Sequence, residues 1–238
     1  MSVLATPDFA RPTPFPGVLR GVDFCGPAGR LEAMLNEGSP TARFAALVCH
    51  PHPLYGGNLH NKVVYHAMKA LNDPAWGLGW PVLRFNFRGV GLSQGKHDGA
   101  AEAEDVLAAL EWLRGEFSRP LVLAGFSFGA AMAAAASCTA KDADLRALAL
   151  LGLPTEAAGN QYSYPCLTAS SLPKLFLSGD HDEFAPAAQL RAMAARAAAP
   201  KRLELLADAD HFFSGQLERM QEALAGWLTA VEAKEFAQ

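Results

Sequence analysis

The chain has 238 residues, half of them apolar and 18% charged, with a formal charge of −4. That length suits one α/β domain, and the apolar content excludes a chain that is disordered throughout. Twenty Lys and Arg against 24 Asp and Glu leave no basic excess, which excludes an electrostatic nucleic-acid binder.

In chain order, residues 1–16 hold four prolines, with neither a basic start nor an apolar centre. They read as an extended surface arm rather than a secretion signal, and the domain is expected over residues 17–238. Val18 to Phe24 and Leu31 to Asn36 read as two strands around a turn at Gly26-Pro27-Ala28-Gly29. Phe44 to Cys49 is a continuous apolar run, the pattern of a strand covered on both faces. Apolar residues at 63, 64, 67, 68 and 71 predict a helix over Asn61 to Leu71, and Pro81 to Phe87 reads as the next strand.

Ala101 to Phe117 carries Val106, Leu107, Leu110, Leu113 and Phe117 on one stripe, with Glu102, Glu104 and Asp105 in its first turns, where acids suit the helix dipole. Leu121 to Ala124 is a short buried strand, and the alanine-rich Phe128 to Ala140 is a helix packed close to its neighbours. Leu145 to Leu151 and Lys174 to Leu177 are two more buried strands. Helix, strand and helix over Ala187 to Ala198, Leu203 to Leu206 and Gln216 to Val231 complete the chain.

Strands and helices alternate from residue 44 onward. The fold expected is therefore α/β, a mostly parallel central sheet with helices on both faces and an antiparallel N-terminal edge. Gly152 to Ser171 does not fit the alternation; a loop this long between core strands carries either function or a small helix. No apolar run approaches the roughly 20 residues of a membrane span, so no membrane association is expected. The scattered Cys25, Cys49, Cys138 and Cys166 contain no C-x-x-C pair and read as free, mostly buried thiols of a cytoplasmic protein.

The sharpest chemical signal is Gly125-Phe126-Ser127-Phe128-Gly129, between a predicted strand and a predicted helix. A serine on a tight strand-to-helix turn needs small residues on either side, and the helix N-terminus aims its positive end at charge developing nearby. A hydroxyl becomes a nucleophile only beside a base. Of the seven histidines, His211 lies just after the last predicted strand, where it can reach back over the strand ends. His60, His66 and His97 read as solvated or polar-face residues. Ser178-Gly-Asp-His-Asp-Glu183 follows another strand and offers the acid that fixes the imidazole; Asp182 is preferred and Asp180 is the alternative.

A tetrahedral intermediate would need backbone N–H donors. One is expected at Phe128, and the other in His50-Pro-His-Pro-Leu-Tyr-Gly-Gly57. Pro51 and Pro53 have no N–H, which leaves His52, then Leu54, then Tyr55. His50 is read as a structural residue beneath that loop, with an alternative as half of a His50-x-His52 metal pair. Tyr55, Phe126, Tyr162, Phe184 and Phe212 are candidates to line an acyl pocket.

With these residues in place, the chain resembles the α/β-hydrolase superfamily, and more narrowly the small bacterial hydrolases and carboxylesterases related to dienelactone hydrolase and the serine aminopeptidase group. The resemblance rests on residues 50–57, on Leu83-Arg-Phe-Asn-Phe-Arg-Gly-Val-Gly91 with Ser93 and Gly95, on Gly125 to Gly129, on Gly179 to Pro186 and on Asp210-His-Phe-Phe213. It implies Ser127 as nucleophile, Asp182 as acid and His211 as base. It departs from dienelactone hydrolases in having Ser127 where they use cysteine, and it has Asn86 where the superfamily often has Asp. The helical cap of many relatives is missing or reduced to residues 152–171.

The expected activity is that of a serine carboxylesterase acting on small, short-acyl esters, without metal or organic cofactor, as a monomer or homodimer. A peptidase or amidase using the same side chains, and a non-catalytic interaction module, are the alternatives.

Overall fold

The computed structural model describes residues 18–139, 144–157 and 160–236; the arm expected over 1–16 lies outside the described residues. Two antiparallel strands, β1 (Leu19–Gly26) and β2 (Gly29–Asn36), form one edge of an eight-stranded sheet. Then come β3 (Ala45–Cys49), α1 (Lys62–Asn72), β4 (Val82–Phe85), α2 (Glu102–Phe117), β5 (Leu121–Phe126), α3 (Phe128–Thr139) and β6 (Leu145–Leu151). A two-residue hairpin, β7 (Glu156–Ala157) and β8 (Asn160–Gln161), stands apart from the sheet. The chain continues with β9 (Lys174–Gly179), α4 (Ala187–Arg196), β10 (Lys201–Leu206) and α5 (Leu217–Glu235).

The sheet order is β1-β2-β4-β3-β5-β6-β9-β10, parallel from β4 to β10. The α/β reading, with its antiparallel edge, is the observed architecture. Alternate residues of the central strands feed two cores. Leu47, Leu83, Leu123 and Leu148 meet α2, α3 and α4 on one face, while Ala46, Val82, Val122 and Ala149 meet α1 and α5 on the other. Burial on both faces explains why these strands read as unbroken apolar runs. Local chemistry sets the helix starts: the Asn61 side chain accepts from the Val63 and Val64 N–H groups and so caps α1.

Strand order reverses beside β3, since the chain passes from β3 to β4 on one side and then to β5 on the other. Such a reversal opens a crevice at the carboxyl ends of the strands. The loops after β3, β5, β6, β9 and β10, five adjacent strands, therefore stand side by side.

Residues 152–171 carry the β7–β8 hairpin and a single 3-10 turn, Pro165–Thr168, so among the described residues no helical cap covers the strand ends. The reading of four free thiols is corrected here. Cys138 at the end of α3 is disulfide-bonded to Cys166 in the 3-10 turn, while Cys25 and Cys49 are free. The two partners are 28 residues apart, and only the packing of that turn against α3 brings them together. Cysteine usage is thus no ground for placing the protein in a reducing compartment. Among the described residues no helix is long and apolar enough to cross a membrane.

Candidate active site

Ser127 stands between β5 and α3 at φ +55°, a left-handed conformation that costs a non-glycine residue on the order of 1–3 kcal/mol. The packing around the turn holds it there. A Cβ on Gly125 would lie 2.3 Å from the Gly129 carbonyl oxygen, and one on Gly129 would lie 2.5 Å from the carbonyl oxygens of Cys49 and His50. Glycine at both positions lets α3 approach the end of β3, and the turn then lifts the serine hydroxyl out of the sheet.

The structure brings Ser127, His211 and Asp182 together. The Ser127 Oγ is 3.0 Å from His211 Nε2, and His211 Nδ1 is 2.9 Å from each Asp182 carboxylate oxygen. His211 and Asp182 are each only 3% exposed. The carboxylate that meets His211 is that of Asp182 and not of the alternative Asp180. Its Oδ1 also accepts the Phe184 and Ala185 N–H groups, at 2.9 and 3.0 Å, and its Oδ2 accepts the Ser178 hydroxyl at 2.6 Å. Burial alone would raise the Asp182 carboxyl. The bond and charge of His211, with the Ser178 and Phe184 donors, nevertheless hold it below the usual carboxylate value. With the carboxylate accepting at Nδ1–H, Nε2 is left as the acceptor facing the serine.

The imidazole is wedged on all sides. Gly152, at φ +53°, leaves the space it occupies, since a Cβ there would lie 3.0 Å from His211 Cε1. Rings of Phe126, Phe184 and Phe212 lie 4.9, 4.6 and 5.1 Å from it. Asp210 holds the loop by accepting the Phe212 and Ser214 N–H groups.

The pocket candidates separate on this geometry. Phe126 is corrected: β5 runs on through it, it is 1% exposed, and its ring backs His211 from within the core instead of lining a surface. Phe212 and Tyr162 are exposed, Tyr55 is 83% exposed, and Phe184 is half-buried beside the imidazole. Tyr162 is tied to the same wall, because its N–H donates to Thr155 O and the Thr155 N–H donates to Phe184 O.

Across the crevice, the loop after β3 is pinned at its base by His50. Nδ1–H of that ring donates to Pro51 O at 2.7 Å, and Nε2 accepts the Phe87 N–H at 3.1 Å. Burial pushes the imidazole down to about 4, with the Pro51 carbonyl opposing, so it is neutral. Both ring nitrogens are thereby engaged with backbone, against the His50-x-His52 metal reading.

The three donor candidates of this loop are not equivalent. The Leu54 N–H donates to His52 Nδ1 and the Tyr55 N–H to His52 O. The N–H groups of His52 and Phe128 make no hydrogen bond among the described residues. Burial and the nearby His97 push the His52 ring down.

His97 departs from the solvated reading. Its side chain is 13% exposed and lies 2.7 Å from the carboxylate of Glu102, which is fully buried. The surrounding Gly95, Lys96, Asp98 and Gly99 are turn and solvent residues, so nothing in the local pattern marks this histidine as packed.

A family model described as an alpha/beta hydrolase domain matches residues 56–235, and the chain belongs to that family. An uncharacterized protein of Rickettsia prowazekii (strain Madrid E) is 34% identical over 218 residues, which cover 88% of this chain and 89% of that one. Among solved structures, an alpha-beta serine hydrolase homologue from Coxiella burnetii is 36% identical with a TM-score of 0.78, covering 88% of this chain and 97% of its own. A Xanthomonas campestris protein described as an a/b serine hydrolase without lid is 31% identical with a TM-score of 0.73, covering 88% and 93%. The chain is thus placed among the hydrolases.

Proposed function

We propose that this hydrolase is a serine carboxylesterase acting on small, short-acyl esters through an acyl-enzyme. The observation that carries the reading is the line Ser127–His211–Asp182, hydrogen-bonded end to end at 2.9–3.0 Å at the carboxyl ends of the strands.

In the first half-reaction His211 Nε2 takes the Ser127 proton as Oγ attacks the ester carbonyl carbon. The tetrahedral oxyanion is met by the Phe128 and His52 N–H groups, the two of the four candidate donors that make no hydrogen bond among the described residues, and by the N-terminus of α3. The Leu54 and Tyr55 N–H groups are spent within their own loop and are not assigned this role. Asp182 steadies the imidazolium as it forms. His211 then passes its proton to the leaving alcohol. Water, activated by the same imidazole, attacks the acyl-enzyme, releases the acid and restores Ser127.

Substrate size follows from the walls. Among the described residues no helical cap covers the strand ends, and apolar surface is offered by Phe184 and Phe212 beside His211 and by Leu54 and Tyr55 on the opposite loop, three of these four largely exposed to water. Such a crevice buries a short acyl chain and leaves most of a long one wet. A panel of p-nitrophenyl acetate, butyrate and palmitate with aminoacyl anilides tests the reading. The expected order is acetate or butyrate first and the anilides last. Preference for palmitate would refute the short-acyl assignment, and preference for an anilide would make the enzyme an amidase.

A further inference from the structure

The loop between β4 and α2 lies outside the machinery described so far, yet it places one ring against both candidate oxyanion donors. His97 lies 4.9 Å, centroid to centroid, from the His52 ring and 5.5 Å from the Phe128 ring, edge-on to each. His52 and Phe128 are themselves 5.0 Å apart, so the three rings touch pairwise. Of the four candidate donors, these are the two whose N–H groups make no hydrogen bond among the described residues, and one follows β3 while the other opens α3.

The orientation of His97 is itself fixed. Its Nδ1–H donates to Glu102 Oε1, and Glu102 also accepts the Asp98 N–H at Oε1 and the Gly99 N–H at Oε2, both at 3.0 Å. Glu102 is the first residue of α2, a 16-residue helix packed in the core, so the carboxylate is a rigid anchor. On the other side, the Leu54 N–H bond to His52 Nδ1 leaves the His52 ring one tautomer and one orientation.

We propose that His97, anchored by Glu102, is a positioning residue that sets the separation of the His52 and Phe128 N–H groups by wedging its ring against both side chains. The proposal rests on the serine-esterase reading, because it concerns how the oxyanion of that reaction is held. Its energetic basis is preorganisation. Donors aimed in advance at a developing charge are worth large factors in rate, and small displacements forfeit much of that. Within the loop the Tyr55 and Gly57 N–H groups both donate to His52 O, and ring packing by His97 and Phe128 adds a restraint from outside the loop.

Two substitutions separate the ring from its anchor. His97→Asn keeps an N–H donor for Glu102 and removes the ring; His97→Phe keeps a ring against His52 and Phe128 and removes the bond to Glu102. Each is compared with wild type for kcat and KM on p-nitrophenyl acetate and for inhibition by a trifluoromethyl ketone, which forms a tetrahedral adduct at the serine. Circular dichroism checks that each variant is folded.

The expected result for His97→Asn is a fall in kcat of about tenfold or more with KM within about twofold. The inhibition constant of the ketone should rise by the same factor as kcat/KM falls. His97→Phe should recover a substantial part of both losses. Full kcat and unchanged ketone affinity in folded His97→Asn would overturn the proposal, as would a loss confined to KM. Should His97→Asn not fold, His97→Gln is measured in its place, and unchanged ketone affinity in that folded variant overturns the proposal. Wild-type protein without Ser127-dependent ester turnover would overturn the esterase reading and this inference together. Ser127-dependent turnover untouched by either substitution overturns this inference alone.

Discussion

One side of the crevice is joined by side chains and the other by backbone. Ser127, His211 and Asp182 meet through hydrogen bonds of 2.9–3.0 Å between a hydroxyl, an imidazole and a carboxylate, groups that few side chains carry. Opposite them, His52 and Phe128 present N–H groups that every residue but proline possesses, held in place by rings, prolines and turns. The first side depends on residue identity and the second on shape. A substitution on the first side should therefore abolish chemistry while sparing the fold. One on the second should degrade rate by degrees.

The largest effect is expected on the side-chain limb. Ser127→Ala removes the proposed nucleophile and should lower kcat on p-nitrophenyl acetate by at least about 10⁴-fold, with the thermal midpoint close to that of wild type, since alanine meets the same left-handed strain and only the hydroxyl's bond to His211 is lost. Asp182→Asn keeps the size of the side chain but presents an amide to His211 Nδ1. The wrong tautomer then faces Ser127, and kcat should fall about 10³–10⁴-fold. A loss below tenfold would show that the imidazole is oriented by its aromatic wedge alone.

Stability is where the wall of the crevice enters. The Cys138–Cys166 disulfide closes a loop over a separation of 28 residues, which in the chain-entropy account is worth about 3–4 kcal/mol. Urea denaturation of the Cys138→Ser, Cys166→Ser double variant should show a loss of that order. Residues 152–171, the wall beside Phe184, should become the first segment to exchange amide protons. Equal stability with and without the disulfide would contradict this.

The smallest effect is a matter of pH. His50 is neutral in the folded protein because burial pushes it down to about 4 from 6.5. The unfolded chain therefore binds a proton between those values that the folded one refuses, and stability is lost as pH falls from about 6.5 to about 4. The contribution reaches on the order of 3 kcal/mol at its limit. His50→Gln should flatten the dependence of the urea midpoint over that window. A wild-type midpoint independent of pH there would contradict the burial argument.

The same contrast explains what could be read from the sequence. The central strands and helices were legible to within about two residues, save α5, which runs four residues past Val231 to Glu235, because two-sided burial writes apolar runs and amphipathic stripes directly into the sequence. Ser127, His211 and Asp182 were legible as residue types at strand ends. Phe126 was misplaced, because one more residue of strand turns its ring from the crevice into the core. Cys138 and Cys166 were misread, since no local pattern records a pairing made by tertiary packing. His52, Leu54 and Tyr55 could not be ranked firmly, because which N–H is already spent depends on turn geometry. The packing of His97 was hidden for a related reason, since the rings it touches belong to His52 and Phe128 and not to its neighbours along the chain.

The claim on which the rest depends is that the Ser127 hydroxyl is activated by its bond to His211. Incubation with a fluorophosphonate, followed by peptide mapping in a mass spectrometer, measures this directly. The account requires one equivalent of label, located on Ser127, with the rate of labelling lowered by orders of magnitude in His211→Ala. Label on another residue, or labelling of Ser127 at the same rate without the imidazole, would contradict it.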